Sequence, residues 1–431
     1  MIVGSVARWV RRTGIWIAEA DTNHTLDLQG SIRTRLVHSD RIDYPLLRSW
    51  LDSHLPVSVL RSTDKDLAVP HMMLIDCATR TLVAAKPHMQ YLALSYVWGT
   101  GPPEPCQYPS LPVTLLPTVN DALTATLALG LRYIWIDRYC ISQQDPAHKS
   151  SQILKMTKIY GNAMATIAAV AGTDPTHGLP GVSTVRPRTP GHQLVGRVGS
   201  RLLASGPING KQEKAVESSV WETRAWTFQE AILSPRIFYF SDLEVSFSCK
   251  SFQTFEHLSH PIIHPNLPDS RRGVVTPDGI LDLVRDYSSR ALTYPSDAFN
   301  AIAGVLEAWC AENSGCFHYW ALPLLFLSDQ PTDRETSEAL WNALCWQLDK
   351  ETERVGDRRH GFPTWSWLLV KGLVLVNTHA CNYEERRECQ EPQFAVKTGD
   401  GSIIDWHSIC FIELGKAQSP PPLYNTQHNT T

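Results

Sequence analysis

The chain has 431 residues, 43% hydrophobic and 19% charged, with 14 tryptophans, so it can bury a sizeable core and is too long for a single one. A formal net charge of −4 offers no broad positive field to a phosphate backbone, which argues against nucleic acid as a partner. No apolar run approaches the ~20 residues of a spanning helix, residues 1–20 lack the apolar stretch of a secretion signal, and no Cys-x-x-Cys pair occurs, so a soluble cytoplasmic protein with reduced thiols and no membrane contact is expected.

Residues 1–88 read as an irregular lead-in. Within it, Leu46, Leu47, Trp50 and Leu51 predict a helix over 44–54, and residues 71–76 and 81–85 predict a hairpin. From Tyr91 the pattern alternates short apolar runs with amphipathic segments, the mark of an α/β domain with a parallel sheet flanked by helices. Strands are expected over 92–98, 133–137 and 165–171. Between them fall a helix over 118–129, capped by Thr118 and stopped by Gly130, and one helix over 149–160. Residues 173–219, rich in Gly, Pro, Ser and Arg, read as an insertion. A helix over 221–233 follows, stopped by Ser234-Pro235, then strands over 236–240 and 244–249. Beyond 250, helices are expected over 280–290 and 296–312 and an aromatic strand over 362–367, giving a mostly helical C-terminal region over 251–417. The polar segment 418–431 reads as a disordered tail. The main domain is thus placed at 89–250.

Four ordered blocks stand out: Tyr91-Leu-Ala-Leu-Ser-Tyr-Val-Trp-Gly99; Leu131-Arg-Tyr-Ile-Trp-Ile-Asp-Arg-Tyr-Cys-Ile-Ser-Gln143; Met156-Thr-Lys-Ile-Tyr160 with Ala163 and Gly178-Leu179; and Arg224-Ala-Trp-Thr-Phe-Gln-Glu-Ala-Ile-Leu-Ser-Pro-Arg236. Together they resemble the fungal heterokaryon-incompatibility (HET) domain, itself similar to Toll/interleukin-1 receptor (TIR) domains. Leu292-Thr-Tyr-Pro-Ser-Asp297 and Phe362-Pro-Thr-Trp-Ser-Trp367 look like extensions common beside HET domains. The resemblance implies a TIR-like, flavodoxin-like parallel sheet with a cleft at the carboxyl ends of its strands. It also implies a role in self/non-self recognition, innate-immunity-like defence and programmed cell death.

In enzymatic TIR domains a Trp-Cys-x-x-Glu helix carries the glutamate that supports cleavage of the nicotinamide–ribose bond of NAD. Here Trp226-Thr-Phe-Gln-Glu230 has that spacing, with Thr227 in place of cysteine. The resemblance therefore implies Glu230 as catalytic carboxylate, Trp226 as a pocket wall, and NAD as a substrate rather than a bound cofactor. Ser95, Tyr96, Trp98 and Gly99 close the first strand, and Asp137 and Arg138 the second, where a ligand would sit. Arg138 or Arg224 suits a pyrophosphate.

Plainer readings stand beside these. Trp98, Trp135 and Trp226 fit a core, Glu230 a helix surface or cap, and Asp137 a loop-fixing residue. No Gly-x-Ser-x-Gly elbow surrounds Ser95. Cys140 reads as a buried structural thiol. His257, His260 and His264 beside Glu256 lack a metal motif, and residues 191–210 lack the end of a phosphate loop, so no metal is expected. A non-enzymatic alternative remains: an adaptor acting through HET self-association or through an incompatibility partner.

Overall fold

The computed structural model describes residues 17–19, 35–53, 69–99, 109–183, 186–189, 193, 195–198, 201–205, 211–249, 251–258, 261–262, 279–326, 332–349, 358–376, 395–397 and 403–405. The expected tail at 418–431 lies outside them. Two compact units divide the chain, Met1–Gly273 and Val274–Thr431.

In chain order the first unit holds β1 (Ile17–Glu19), α1 (Tyr44–Asp52), β2 (Met73–Asp76), β3 (Thr81–Ala84), β4 (Tyr91–Ser95), α2 (Pro117–Ala128), β5 (Tyr133–Trp135) and α3 (Asp137–Cys140). It continues through α4 (Pro146–Ile153), α5 (Met156–Asn162), β6 (Ala165–Ala169), β7 (Val195–Val198), β8 (Arg201–Ser205) and α6 (Lys211–Glu217). It ends with α7 (Ala225–Leu233), β9 (Arg236–Phe240), β10 (Val245–Cys249) and β11 (Gln253–Phe255).

Eight strands form one sheet in the order β11-β10-β9-β6-β4-β5-β2-β3. Its middle is parallel: β4 pairs with β5 through Leu92↔Ile134 and with β6 through Ser95↔Ala168, and β6 pairs with β9 through Ile167↔Phe238. Every residue of β4 and β6 is buried, as strands covered on both faces must be. The antiparallel hairpins β2-β3 and β9-β10, with β11, extend the two edges. Taken by position in the chain, the four parallel strands run second, first, third, fourth, the doubly wound order of flavodoxin-type sheets. The order reverses between β4 and β6, so the ligand crevice of such a sheet falls at their carboxyl ends.

The lead-in helix is part of this core. Asp43 accepts the amide of Leu46 at the start of α1, and Leu47, Trp50 and Leu51 are buried against the sheet, each large apolar side chain contributing about 1.5–3 kcal/mol. Arg48 donates to the carbonyl of Leu129 at 2.7 Å, closing the end of α2 beside Gly130, whose φ of 78° ends that helix as expected.

Three local expectations need correction. Thr118 does not cap α2: Leu116 holds that position, and the Thr118 Oγ1 instead accepts from Gly178 at 3.2 Å. The single helix over 149–160 is two, because a break at Leu154 and Lys155 re-phases the apolar stripe. Leu154 is left exposed while Ile159 and Tyr160 go under the sheet. The helix expected from Trp221 begins at Ala225, since the Trp221 indole turns down into the core. The insertion carries β7 and β8, which pair with β1 in a separate three-stranded sheet.

The second unit has helices Gly279–Ser288, Asn300–Glu312 and Asp333–Leu344, the last with a Thr332/Glu335 capping box. Two-stranded ribbons pair Cys316–Tyr319 with Leu322–Leu325, Trp346–Leu348 with Val374–Val376, and Ala395–Lys397 with Ile403–Asp405. The aromatic strand expected over 362–367 is a turn leading into a 3-10 helix, Trp367–Leu369. Ser366 Oγ and Trp367 Nε1 each donate at 2.8 Å, to the carbonyls of Trp320 and Ala321, so the segment is fixed by side chains instead of a ladder.

Candidate active site at the carboxyl ends of the parallel strands

The site follows from where the chain leaves the sheet. Ser95 is the last residue of β4, and Tyr96, Trp98 and Gly99 follow it; Asp137 and Arg138 open α3 directly after β5; Arg224 stands at the N-cap of α7, and Glu230 lies within that helix. Tyr160 belongs to α5, the helix that feeds β6.

Glu230 is only 5% exposed. Its carboxylate accepts hydrogen bonds from the hydroxyls of Ser95 and Tyr160. Ser95 is itself oriented: Trp221, fully buried, donates its indole N–H to Ser95 Oγ at 2.7 Å. An indole is donor-only, so Ser95 accepts from it and keeps its own proton for Glu230. Thr227 Oγ1 donates to the carbonyls of Trp221 at 2.5 Å and Arg224 at 2.9 Å, which fixes the turn that delivers the indole. Tyr160 is buried, with its ring 5.5 Å from that of Trp135 in an edge-on contact.

Asp137 keeps partial exposure. The Trp98 indole donates to its Oδ2 at 2.9 Å and Oδ1 at 3.1 Å, and the Arg138 amide donates to Oδ1 at 2.7 Å. The guanidinium of Arg138 stacks 5.6 Å over the Trp98 ring and donates to the Trp98 carbonyl at 3.2 Å.

Burial is the largest influence on both carboxyls and raises both well above the ordinary carboxylate range, into the neutral region. For Glu230 the nearby charge of Asp137 raises it further, while the Ser95 and Tyr160 hydroxyls and the charge of Arg224 pull it down. For Asp137 the opposing influences are the Arg138 amide, the Trp98 indole and the charges of Arg224 and Arg138. Two acids that share the charge of Arg224, with Arg138 acting on Asp137 as well, can share a proton, donate or accept hydrogen bonds, and stabilise a positive charge arising beside them.

The expected site residues therefore gather at one place, with differences in reach. Ser95, Tyr96 and Arg138 are buried beneath the carboxyls, whereas Trp98, Asp137, Arg224 and Trp226 are partly accessible and Gly99 is exposed. Trp226 packs against the core. Gly99, at φ 74°, makes a close approach to the chain itself, since a Cβ there would stand 3.0 Å from Pro175 Cδ. Trp135 is a core residue, and Cys140 is buried with its Sγ accepting from the Ile136 amide at 3.4 Å. His257 is bound to Glu244, and His260 and His264 lie outside the described residues.

Sequence reasoning missed Tyr160 and Trp221 as site residues. Tyr160 closes the run Met156-Thr-Lys-Ile-Tyr160 shortly before the buried strand β6, which was an available signal. Trp221 carried none, since its partner Ser95 lies 126 residues away.

The family model for heterokaryon incompatibility protein (HET) matches residues 91–230, from the first residue of β4 to the buried glutamate of α7. No curated protein and no solved structure matches the chain.

Proposed function

Because residues 91–230 form a HET domain and tie the chain to heterokaryon incompatibility, we propose that it is a self/non-self recognition and cell-death effector that cleaves the N-glycosidic bond of NAD. The observation that carries this reading is the convergence of Glu230 and Asp137 at the carboxyl ends of β4 and β5, under Arg224. Nicotinamide in NAD is a cationic leaving group. As its bond to the ribose C1′ breaks, the electron pair goes to the pyridine nitrogen and the sugar becomes oxocarbenium-like. Glu230, fixed by Ser95 and Tyr160, would stabilise that charge and bind ribose hydroxyls in a site with little water. Of the two candidate phosphate ligands, Arg224 suits the pyrophosphate better. Arg138 is buried, whereas Arg224 is partly accessible.

The test uses the purified full chain at high concentration, since assembly can be required for such sites. Nicotinamide release is expected from the wild type, with a loss of about 10²–10³-fold in Glu230→Gln, the scale of removing one stabilising group. Equal release by both rejects the NAD reading. If toxicity on overexpression survives Glu230→Gln, the adaptor alternative takes its place, with self-association or partner binding as the output.

A further inference from the structure

On the NAD reading above, bond cleavage needs one carboxyl, yet the site holds two, and they are not equivalent. Glu230 is nearly inaccessible and meets hydroxyl groups. Asp137 is partly accessible, and the groups bonded to its carboxylate, an indole N–H and a backbone N–H, are donor-only. These partners hold Asp137 as an acceptor. Oδ1 takes the Arg138 amide and shares the Trp98 indole N–H with Oδ2, so Oδ2, which has the shared donor alone, keeps the freer lone pair.

We propose that Asp137 is the general base that takes the proton of the water replacing nicotinamide at C1′. In this step the water oxygen bonds to C1′ as the C1′–N1 pair leaves on nicotinamide, and one water proton passes to Asp137 Oδ2. Glu230 stays at the sugar and moves no proton. The groups facing Asp137 are Arg138 on its own helix, Tyr96 beyond β4, Tyr160 of α5, and Glu230 and Arg224 of α7. Two cations and a shared negative charge thus bracket the base, and burial raises its proton affinity, as proton acceptance at neutral pH requires.

The experiment compares two fates of NAD in the full chain: hydrolysis, and exchange of nicotinamide for added 3-acetylpyridine. The pyridine nitrogen attacks C1′ with a lone pair and has no proton to lose, so exchange needs no base. Asp137→Asn, which keeps an oxygen to accept from Trp98 and Arg138, should lower hydrolysis by roughly 10²-fold or more. Exchange should stay within a few-fold of wild type. Parallel loss of both, or loss of neither, overturns the role for Asp137 while leaving the NAD reading standing. Absence of both reactions in the wild type overturns the NAD reading, and this proposal with it. If Asp137→Asn fails to fold, the wild type decides: the ratio of hydrolysis to exchange should fall as pH drops through the titration of Asp137, and a flat ratio overturns the proposal.

Discussion

Two buried acidic clusters in the first unit have opposite designs. At the antiparallel edge, Glu256 accepts from the fully buried guanidinium of Arg188 and from the Val245 amide at 2.7 Å, and Glu244 meets His257 Nδ1 at 2.8 Å and its amide at 3.1 Å. Arg188 also binds the carbonyl of Arg41, and the amide of Arg35 donates to the carbonyl of His257 at 2.7 Å, so this cluster fastens the lead-in segment to the sheet. Each acid there has its own partner. At the carboxyl ends of the parallel strands, Glu230 and Asp137 have hydroxyls, an indole and an amide, and Arg224 acts on both. Burial raises Glu256 as well, but there the charge of Arg188 is the first influence opposing it. For Glu230 the second-largest influence is another acid, which adds to the effect of burial. A buried acid matched to a cation organises structure, and a pair of acids left under-compensated is the arrangement expected of a working site.

The comparison can be broken most decisively at Arg188. Arg188→Ala strands Glu256 in the interior and should cost about 3–5 kcal/mol in chemical denaturation of the full chain, with the denaturant slope unchanged. A cost below about 1 kcal/mol would remove the distinction between the clusters.

Glu230 should behave in the opposite sense. Its folded carboxyl holds a proton to higher pH than an unfolded glutamate, so its contribution to stability declines as pH rises from the ordinary value of 4.5 toward the folded titration. Glu230→Gln should therefore stabilise the chain by about 1–3 kcal/mol at neutral pH, while removing turnover. Melting curves of both proteins at neutral pH and near pH 4.5 check this: the gain should vanish at the lower pH.

The smallest effect sharpens the role of the orienting hydroxyl. Ser95→Ala removes a donor to the charged form of Glu230 and should cost about 1 kcal/mol. It should also move the Glu230 titration higher still, which Ser95→Thr should reverse if the new methyl group fits. An unmoved titration would reduce Ser95 to packing.

Much of this arrangement was legible in the sequence. Strands β4, β6, β9 and β10 are short apolar runs bounded by breakers, and Gly99 and Asp137 fall at the carboxyl side of the sheet because each follows a buried strand. Other features were hidden for physical reasons. The break after Ile153 leaves the apolar spacing intact in the sequence, and only packing tells Leu154 from Ile159. Phe362-Pro-Thr-Trp-Ser-Trp367 has the aromatic content of a strand, yet its anchoring bonds come from side chains to a hairpin some 46 residues earlier. The support beneath Glu230 comes from Trp221 through Ser95 and from Tyr160, contacts across the sheet that no local pattern encodes.

The most direct measurement is a carboxyl-carbon NMR titration of the full chain labelled in its glutamates, with Glu230→Gln used to assign the Glu230 signal. The account predicts that Glu230 titrates well above an ordinary glutamate, and that Asp137→Asn moves its midpoint down, because a like charge beside it has gone. A Glu230 signal titrating near the ordinary value and indifferent to Asp137 would contradict it.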